Sequence, residues 1–364
     1  MKTSATSLFR LLCVLLIFFL LSEGFLRIQE YKTDIQYEQL RRNRPQDVFA
    51  FFTYDPVLGW RNKPLQEGPF RTSESTSHVS INAKGLRGKE YPYERSEKKR
   101  ILVLGDSFVW GYGVEAKDRF TERLESLLGG RVEIVNAGVP GYGLDQYLLL
   151  LQQEGKKYKP DLVICAVNTV DLFDIFQRVN HGYPKPYFTI KKGNLSPQNV
   201  PVPRRVSAGE KSKRFFVPHA FVEVTPYPET NPFLQFLENH TLTYSLLKRE
   251  LGGNRESRER KELVILLFKA LRDTSREMKA DLAILLIPLS EDVRFKHNSP
   301  LYRYLADFLT KSGYSIVDPH ERLISLSQKE ELYFLKSDKH WTPAGHRAIA
   351  ELLYDFITQK GLDR

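Results

Sequence analysis

Ile101-Leu102-Val103-Leu104-Gly105-Asp106-Ser107 is the stretch that decides the fold: four apolar residues run without interruption into a glycine, an acid and a serine. A short apolar run closed by a turn signal reads as a strand buried on both faces, the kind that builds parallel sheets. Four more runs share the pattern, at 132–135, 162–167, 282–287 and, more weakly, 314–317. Between them lie stretches with helical spacing at 120–128, 144–153, 262–279, 301–311 and 344–360. Strands alternating with helices wind around a parallel sheet, so residues 99–360 are expected to form one α/β domain with five buried strands. The last helix is the best punctuated. Thr342 suits the cap and Pro343 the first turn, Ala348, Ile349, Leu352, Leu353, Phe356 and Ile357 share one face, and Gly361 is placed to end it.

With 364 residues, 41% hydrophobic and 12% aromatic, the chain has the material for a large core and is not mainly disordered. Lys and Arg outnumber Asp and Glu by 54 to 44, but the excess is dispersed apart from two clusters. One holds Arg204, Arg205, Lys211, Lys213 and Arg214, and the other is the mixed run 248–262; both read as solvated loops or helix faces. Neither interleaves basic and aromatic residues in a nucleic-acid-binding module, so no nucleic-acid partner is expected. The two cysteines, Cys13 and Cys165, imply no disulfide framework.

Lys2 and Arg10 precede an unbroken apolar run over 11–21, and counting 8–26 gives enough length for a membrane span of ~20 residues. The positive flank stays in the cytoplasm and sends the remainder across. Residues 1–27 are therefore expected to be an uncleaved signal-anchor, leaving a single-pass protein with its larger part outside the cytoplasm. The alternative is a cleaved secretory signal, since Ser22 and Gly24 are small residues at peptidase spacing, which would leave a secreted or periplasmic protein. Residues 28–98 read as a juxtamembrane stalk and lead-in. Over 174–260 prolines break the rhythm, which marks an insertion after the third strand, with 191–194 as a hairpin turn. Such an insertion hangs near the C-terminal ends of the strands, where α/β proteins bind ligands.

Three pieces carry chemistry. Ser107 follows a buried strand, so hydroxyl and backbone amide both sit on a turn at the crevice. Asn136-Ala137-Gly138-Val139-Pro140-Gly141-Tyr142-Gly143 follows the second strand, and a glycine-dense turn can present amides inward; Gly141 is the candidate donor to an oxyanion. Asp338-Lys339-His340-Trp341 precedes the last helix and places a carboxylate two residues from an imidazole. A serine hydroxyl becomes a useful nucleophile when a histidine takes its proton, and a carboxylate can hold that histidine's tautomer. Ser107, His340 and Asp338 are thus the candidate catalytic residues. A metal role for His340 is disfavoured, because His346 lies six residues on, within the helix, and no second ligand stands at metal spacing. No cofactor is expected.

In this order the three segments resemble the SGNH (GDSL) hydrolase superfamily, and the stretches around 136–146 and 338–346 look like its membrane-anchored bacterial members of unassigned substrate. The resemblance covers about residues 99–360. It implies a flavodoxin-like three-layer α/β/α sandwich, with Ser107 as nucleophile, His340 as base, Asp338 as its partner, and the Ser107 and Gly141 amides as oxyanion donors. One departure stands out. The family usually carries Asn-Asp after the third strand, its Asn being a further donor, whereas an ungapped reading puts Val170 there and keeps Asp171. Asn168, two residues earlier, is the substitute candidate.

The leading functional expectation is an extracytoplasmic esterase that removes an acyl group, acetyl among the candidates, from an envelope glycan or lipid. An O-acyltransferase on an envelope polysaccharide is the second reading. A catalytically weak or inactive binding or assembly module, prompted by Val170, is the third. Nothing in the sequence fixes the oligomeric state.

Overall fold

The computed structural model of the chain describes residues 10, 13–14, 16–25, 50–180, 183–204, 214–217, 220–223, 255–296, 299–335 and 339–363. In chain order the strands are β1 (Phe52–Asp55), β2 (Gly59–Asn62), β3 (Glu67–Arg71), β4 (Thr76–Ser80), β5 (Lys99–Gly105), β6 (Val132–Gly138), β7 (Leu162–Asn168), β8 (Val179–Asn180), β9 (Tyr183–Pro184), β10 (Tyr187–Lys191), β11 (Asn194–Gln198), β12 (Arg214–Val217), β13 (Ala220–Glu223), β14 (Asp281–Ile287) and β15 (Ser315–Val317). The α-helices that matter here are α1 (Ser107–Trp110), α2 (Phe120–Leu127), α3 (Leu144–Gln153), α4 (Asp171–Asp174), α5 (Arg255–Glu277), α6 (Ser290–Arg294), α7 (Pro300–Lys311), α8 (His320–Ser327) and α9 (Pro343–Gln359).

Residues 44–208 and 263–364 form one compact unit, and residues 1–43 with 209–262 form another. The larger unit is built on a five-stranded sheet of order β15-β14-β7-β5-β6, parallel at every pairing. Counted along the chain this is the 2-1-3-4-5 order of flavodoxin-like doubly wound sheets. Alternate strand residues feed two cores. Leu102, Leu104, Val135, Val163, Cys165 and Leu286 join α3, α7 and the part of α5 from Leu263 onward. Ile101, Val103, Ile134, Ile164 and Leu285 join α1, α2, α8 and α9 on the opposite face. Period-2 alternation with both faces apolar is what makes the strands read as unbroken apolar runs, and it yields three layers.

The last helix begins as expected, with Thr342 Oγ1 accepting from the Gly345 amide at 3.3 Å. The turn at 191–194 also forms, closing β10 on β11 with Lys192 and Gly193 both at positive φ. Helices α1, α4, α6 and α8 are additions that the apolar spacing did not announce.

The described part of the expected lead-in is not a stalk. Residues 50–98 carry the antiparallel pairs β1–β2 and β3–β4, and Phe51, Phe70, Val79 and Ile81 close around Trp110 of α1. Arg87, 1% exposed, donates to the carbonyl oxygens of Trp110 at 3.1 Å, Gly111 at 2.5 Å and Val114 at 2.7 Å. The Trp110 and Gly111 carbonyls lie where α1 ends and Val114 on the turn that follows, so a buried cation from the lead-in fastens the short helix that starts with Ser107. The boundary expected at 98/99 is therefore crossed by packing and hydrogen bonds.

Of the smaller unit, residues 16–25 are helical, and Val14, Leu16, Phe18 and Leu21 expose 58–70% of their surface. The expected anchor lies partly outside the described residues, and among the described residues no helix is long and apolar enough to cross a membrane. Much of the expected insertion also lies outside them; its described parts include the β8–β9 and β10–β11 pairs in the larger unit.

Candidate active site

Strands β5, β6 and β7 end side by side, and their loops supply the site. Gly105 pairs with Gly138 in register, and the Val139 amide donates to Gly105 O at 3.0 Å, so the Ser107 turn and the 139–143 turn leave adjacent strands together. Helix α1 starts at once after β5 because Asp106 caps it, its Oδ1 accepting from the Phe108 amide at 2.9 Å. The helix lies so close to β6 that a Cβ on Gly138 would fall 2.3 Å from the Trp110 nitrogen. Glycine is thus a requirement of close approach at that position.

Ser107 Oγ and His340 Nε2 are 2.7 Å apart. Both residues are half-buried, within reach of the crevice. With the imidazole proton on Nδ1, the serine hydroxyl donates to Nε2, which is the arrangement proton abstraction requires. The ring is held by stacking on Tyr112, centroids 4.6 Å apart and planes at 25°, and by Phe108 at 4.8 Å. Its loop is tied down by the Phe334 amide, which donates to His340 O at 2.8 Å. Asp338 lies outside the described residues.

Behind Ser107 is a buried polar network that the sequence reading did not draw. Asn168, 3% exposed, donates from Nδ2 to Asp106 Oδ2 at 3.0 Å, while its Oδ1 accepts from the Val170 amide at 2.7 Å and the Asp171 amide at 3.0 Å. The residue nominated as a further oxyanion donor is thus engaged as a brace between the ends of β5 and β7. Val170, at the position suggested for an asparagine donor, is 46% exposed and precedes α4. Burial pushes the Asp106 carboxyl up to about 6, against the pull of bonds from Phe108 and Asn168. Burial and the neighbouring Asp106 charge raise Asp171 well above the usual carboxylate range. Deeper still, Lys185 Nζ, fully buried, contacts Asp145 Oδ2 and Asp174 O, each at 2.7 Å.

Gly141 is half-buried with φ +78°, a left-handed conformation suited to glycine. Its carbonyl accepts from Asn180 Nδ2 at 2.9 Å. His346 is fully enclosed, accepts from the Phe120 amide on Nδ1 at 3.3 Å and is held neutral by burial and the nearby Arg119 and Arg87 charges. It is a structural histidine of α9. Among the described residues, no cluster of three His, Cys, Asp or Glu is placed to hold a metal ion.

No protein-family model matches the chain, and no curated protein matches it by sequence. Solved structures that resemble it include a member of the lipolytic protein G-D-S-L family from Veillonella parvula DSM 2008, at 14% identity and TM-score 0.39, covering 72% of this chain and 99% of that one. A lipase/acylhydrolase from Enterococcus faecalis matches at 11% identity and TM-score 0.39, covering 72% and 96%. A psychrotrophic esterase from Pseudoalteromonas sp. matches at 13% identity and TM-score 0.37, covering 73% and 100%. At such identities and overlaps these likenesses carry no chemistry to this chain.

Proposed function

We propose that this chain is a serine ester hydrolase of the SGNH type, acting outside the cytoplasm on an acyl ester of an envelope glycan or lipid. The observation that carries the reading is the 2.7 Å contact between Ser107 Oγ and His340 Nε2 at the C-terminal edge of a parallel sheet. In the first half-reaction Ser107 Oγ attacks the acyl carbon as His340 takes its proton. The Ser107 and Gly141 amides stabilise the oxygen that becomes negative. His340 then returns the proton to the departing alcohol, and water repeats the sequence on the acyl-enzyme. Asp338 is assigned to orient His340 from its place two residues before the histidine in the sequence and from the resemblance. A membrane tether is supported by Lys2 and Arg10 ahead of the apolar run and by the exposed apolar side chains over 14–25.

Labelling with a fluorophosphonate probe tests the reading. Wild-type protein is expected to be labelled and the Ser107→Ala variant to remain unlabelled; a folded wild type that takes no label points instead to a binding or assembly module. Acetyl release measured beside acetyl transfer to an envelope oligosaccharide separates hydrolase from transferase.

A further inference from the structure

The Gly141 amide sits on a residue with no side chain and a left-handed backbone, so its direction depends on what grips the peptide around it. The carbonyl of Pro140 belongs to the same planar unit as the Gly141 N–H, and in a trans peptide the two point in opposite directions. Trp60 holds that carbonyl: its Nε1 donates to Pro140 O at 3.0 Å, across 80 positions of sequence. The grip is reciprocal, because the Tyr142 hydroxyl donates to Trp60 O and the two rings meet edge to face at 5.5 Å. Trp60 is 6% exposed on β2, and the chain around it serves the same turn, with Leu58 O accepting from Gln146 Nε2 at 2.7 Å. On the far side of Gly141, Asn180 Nδ2 holds the next carbonyl at 2.9 Å.

We propose that Trp60 is a positioning residue for the oxyanion donor: by holding Pro140 O it aims the Gly141 amide into the crevice beside Ser107. The inference rests on the hydrolase reading above and adds a role for the segment that precedes the catalytic domain. Pulling Pro140 O toward the body of the protein turns the Gly141 hydrogen away from it, and Asn180 prevents the peptide beyond from rotating to compensate. An oxyanion donor acts through its direction at the moment charge develops, and complete loss of one typically costs about 100 to 1,000-fold in rate. A donor that remains but is no longer aimed is expected to cost less, roughly 10-fold.

Trp60→Phe isolates the effect. It keeps an aromatic ring against Tyr142 and leaves the backbone acceptor of the Tyr142 hydroxyl intact, removing the donor to Pro140 O. With p-nitrophenyl acetate as substrate, kcat is expected to fall about 10-fold with little change in KM, and the affinity of a phenylboronic acid, which becomes tetrahedral on Ser107, is expected to fall in parallel. Replacing the tryptophan by 3-benzothienylalanine, which keeps the shape and substitutes sulfur for N–H, should reproduce the loss even where the phenylalanine variant folds poorly. If the folded variants keep wild-type kcat and boronate affinity and lose only thermal stability, Trp60 is packing and the inference is overturned. If the wild type itself shows no turnover dependent on Ser107, the hydrolase reading falls and this inference falls with it.

Discussion

Ser107 and His340, 233 positions apart in sequence, meet through a 2.7 Å contact between hydroxyl and imidazole. Two independent constructions converge on that contact. Asp106 starts α1 directly after β5 and sets the height of the serine, while the Phe334–His340 backbone bond and the Tyr112 and Phe108 rings set the imidazole. Neither residue is buried in the apolar core, so each can be removed with little effect on folding.

His340→Ala is accordingly expected to abolish ester hydrolysis, by about 10⁴-fold or more in kcat, while the thermal midpoint moves by only a few degrees. Steady-state kinetics on p-nitrophenyl acetate, run beside a melt, checks this. Unchanged turnover in the folded variant removes His340 from the mechanism.

The Tyr112 ring stacks on the imidazole, and the contact needs a flat face rather than a hydroxyl. Tyr112→Phe should therefore retain activity within about 2-fold, whereas Tyr112→Leu should lower kcat roughly 10-fold by loosening the ring and removing its attraction for the imidazolium formed in the reaction. Equal kinetics in the two variants would show that the stack does not serve catalysis.

Much of this was legible beforehand, and the reasons are physical. A strand buried on both faces leaves a run such as 101–104 or 162–167, and its shortness and the turn signals that bound it separate it from a buried helix, so the sheet could be read directly. Ser107 and His340 stood out because a turn after such a strand and a loop before a capped helix are places where side chains reach a crevice. The lead-in was misread for the opposite reason. Its strands belong to two-stranded pairs with mixed burial, and Arg87 looks like a solvent charge until the fold supplies the carbonyls that bury it. Asn168 was recognised as a site residue, but its partners, Asp106 and the Val170 and Asp171 amides, depend on loop geometry that spacing does not encode.

Close approach makes a sharper test at Gly138. An added Cβ would lie 2.3 Å from the Trp110 nitrogen and 2.8 Å from the Val109 carbonyl carbon, both backbone atoms that cannot swing aside. Gly138→Ala should push α1 off β6 and cost about 3 kcal/mol or more, with activity falling further than stability because Ser107 begins α1. Denaturant melts and kcat measured on the same preparation check both halves; a neutral substitution would mean that α1 does not rest on β6 as described.

Asp106 gives a prediction in pH. Its carboxyl is pushed from 3.8 to about 6 by burial, so the folded state prefers the protonated form more than the unfolded chain does. Below about pH 4 both states carry the proton and the group is neutral in effect. As pH rises toward 6 the unfolded chain ionises freely while the folded site resists, so stability is lost across that window, on the order of 2–3 kcal/mol. Asp106→Asn keeps a capping oxygen and removes the titration. Any constant cost of the exchange cancels in the slope, so the stability of the variant relative to wild type should rise between pH 4 and pH 6 and level off above. Urea melts at pH 4, 5, 6 and 8 measure that slope, and parallel profiles for the two proteins would show that the carboxyl behind Ser107 is not held in a protonation-favouring site.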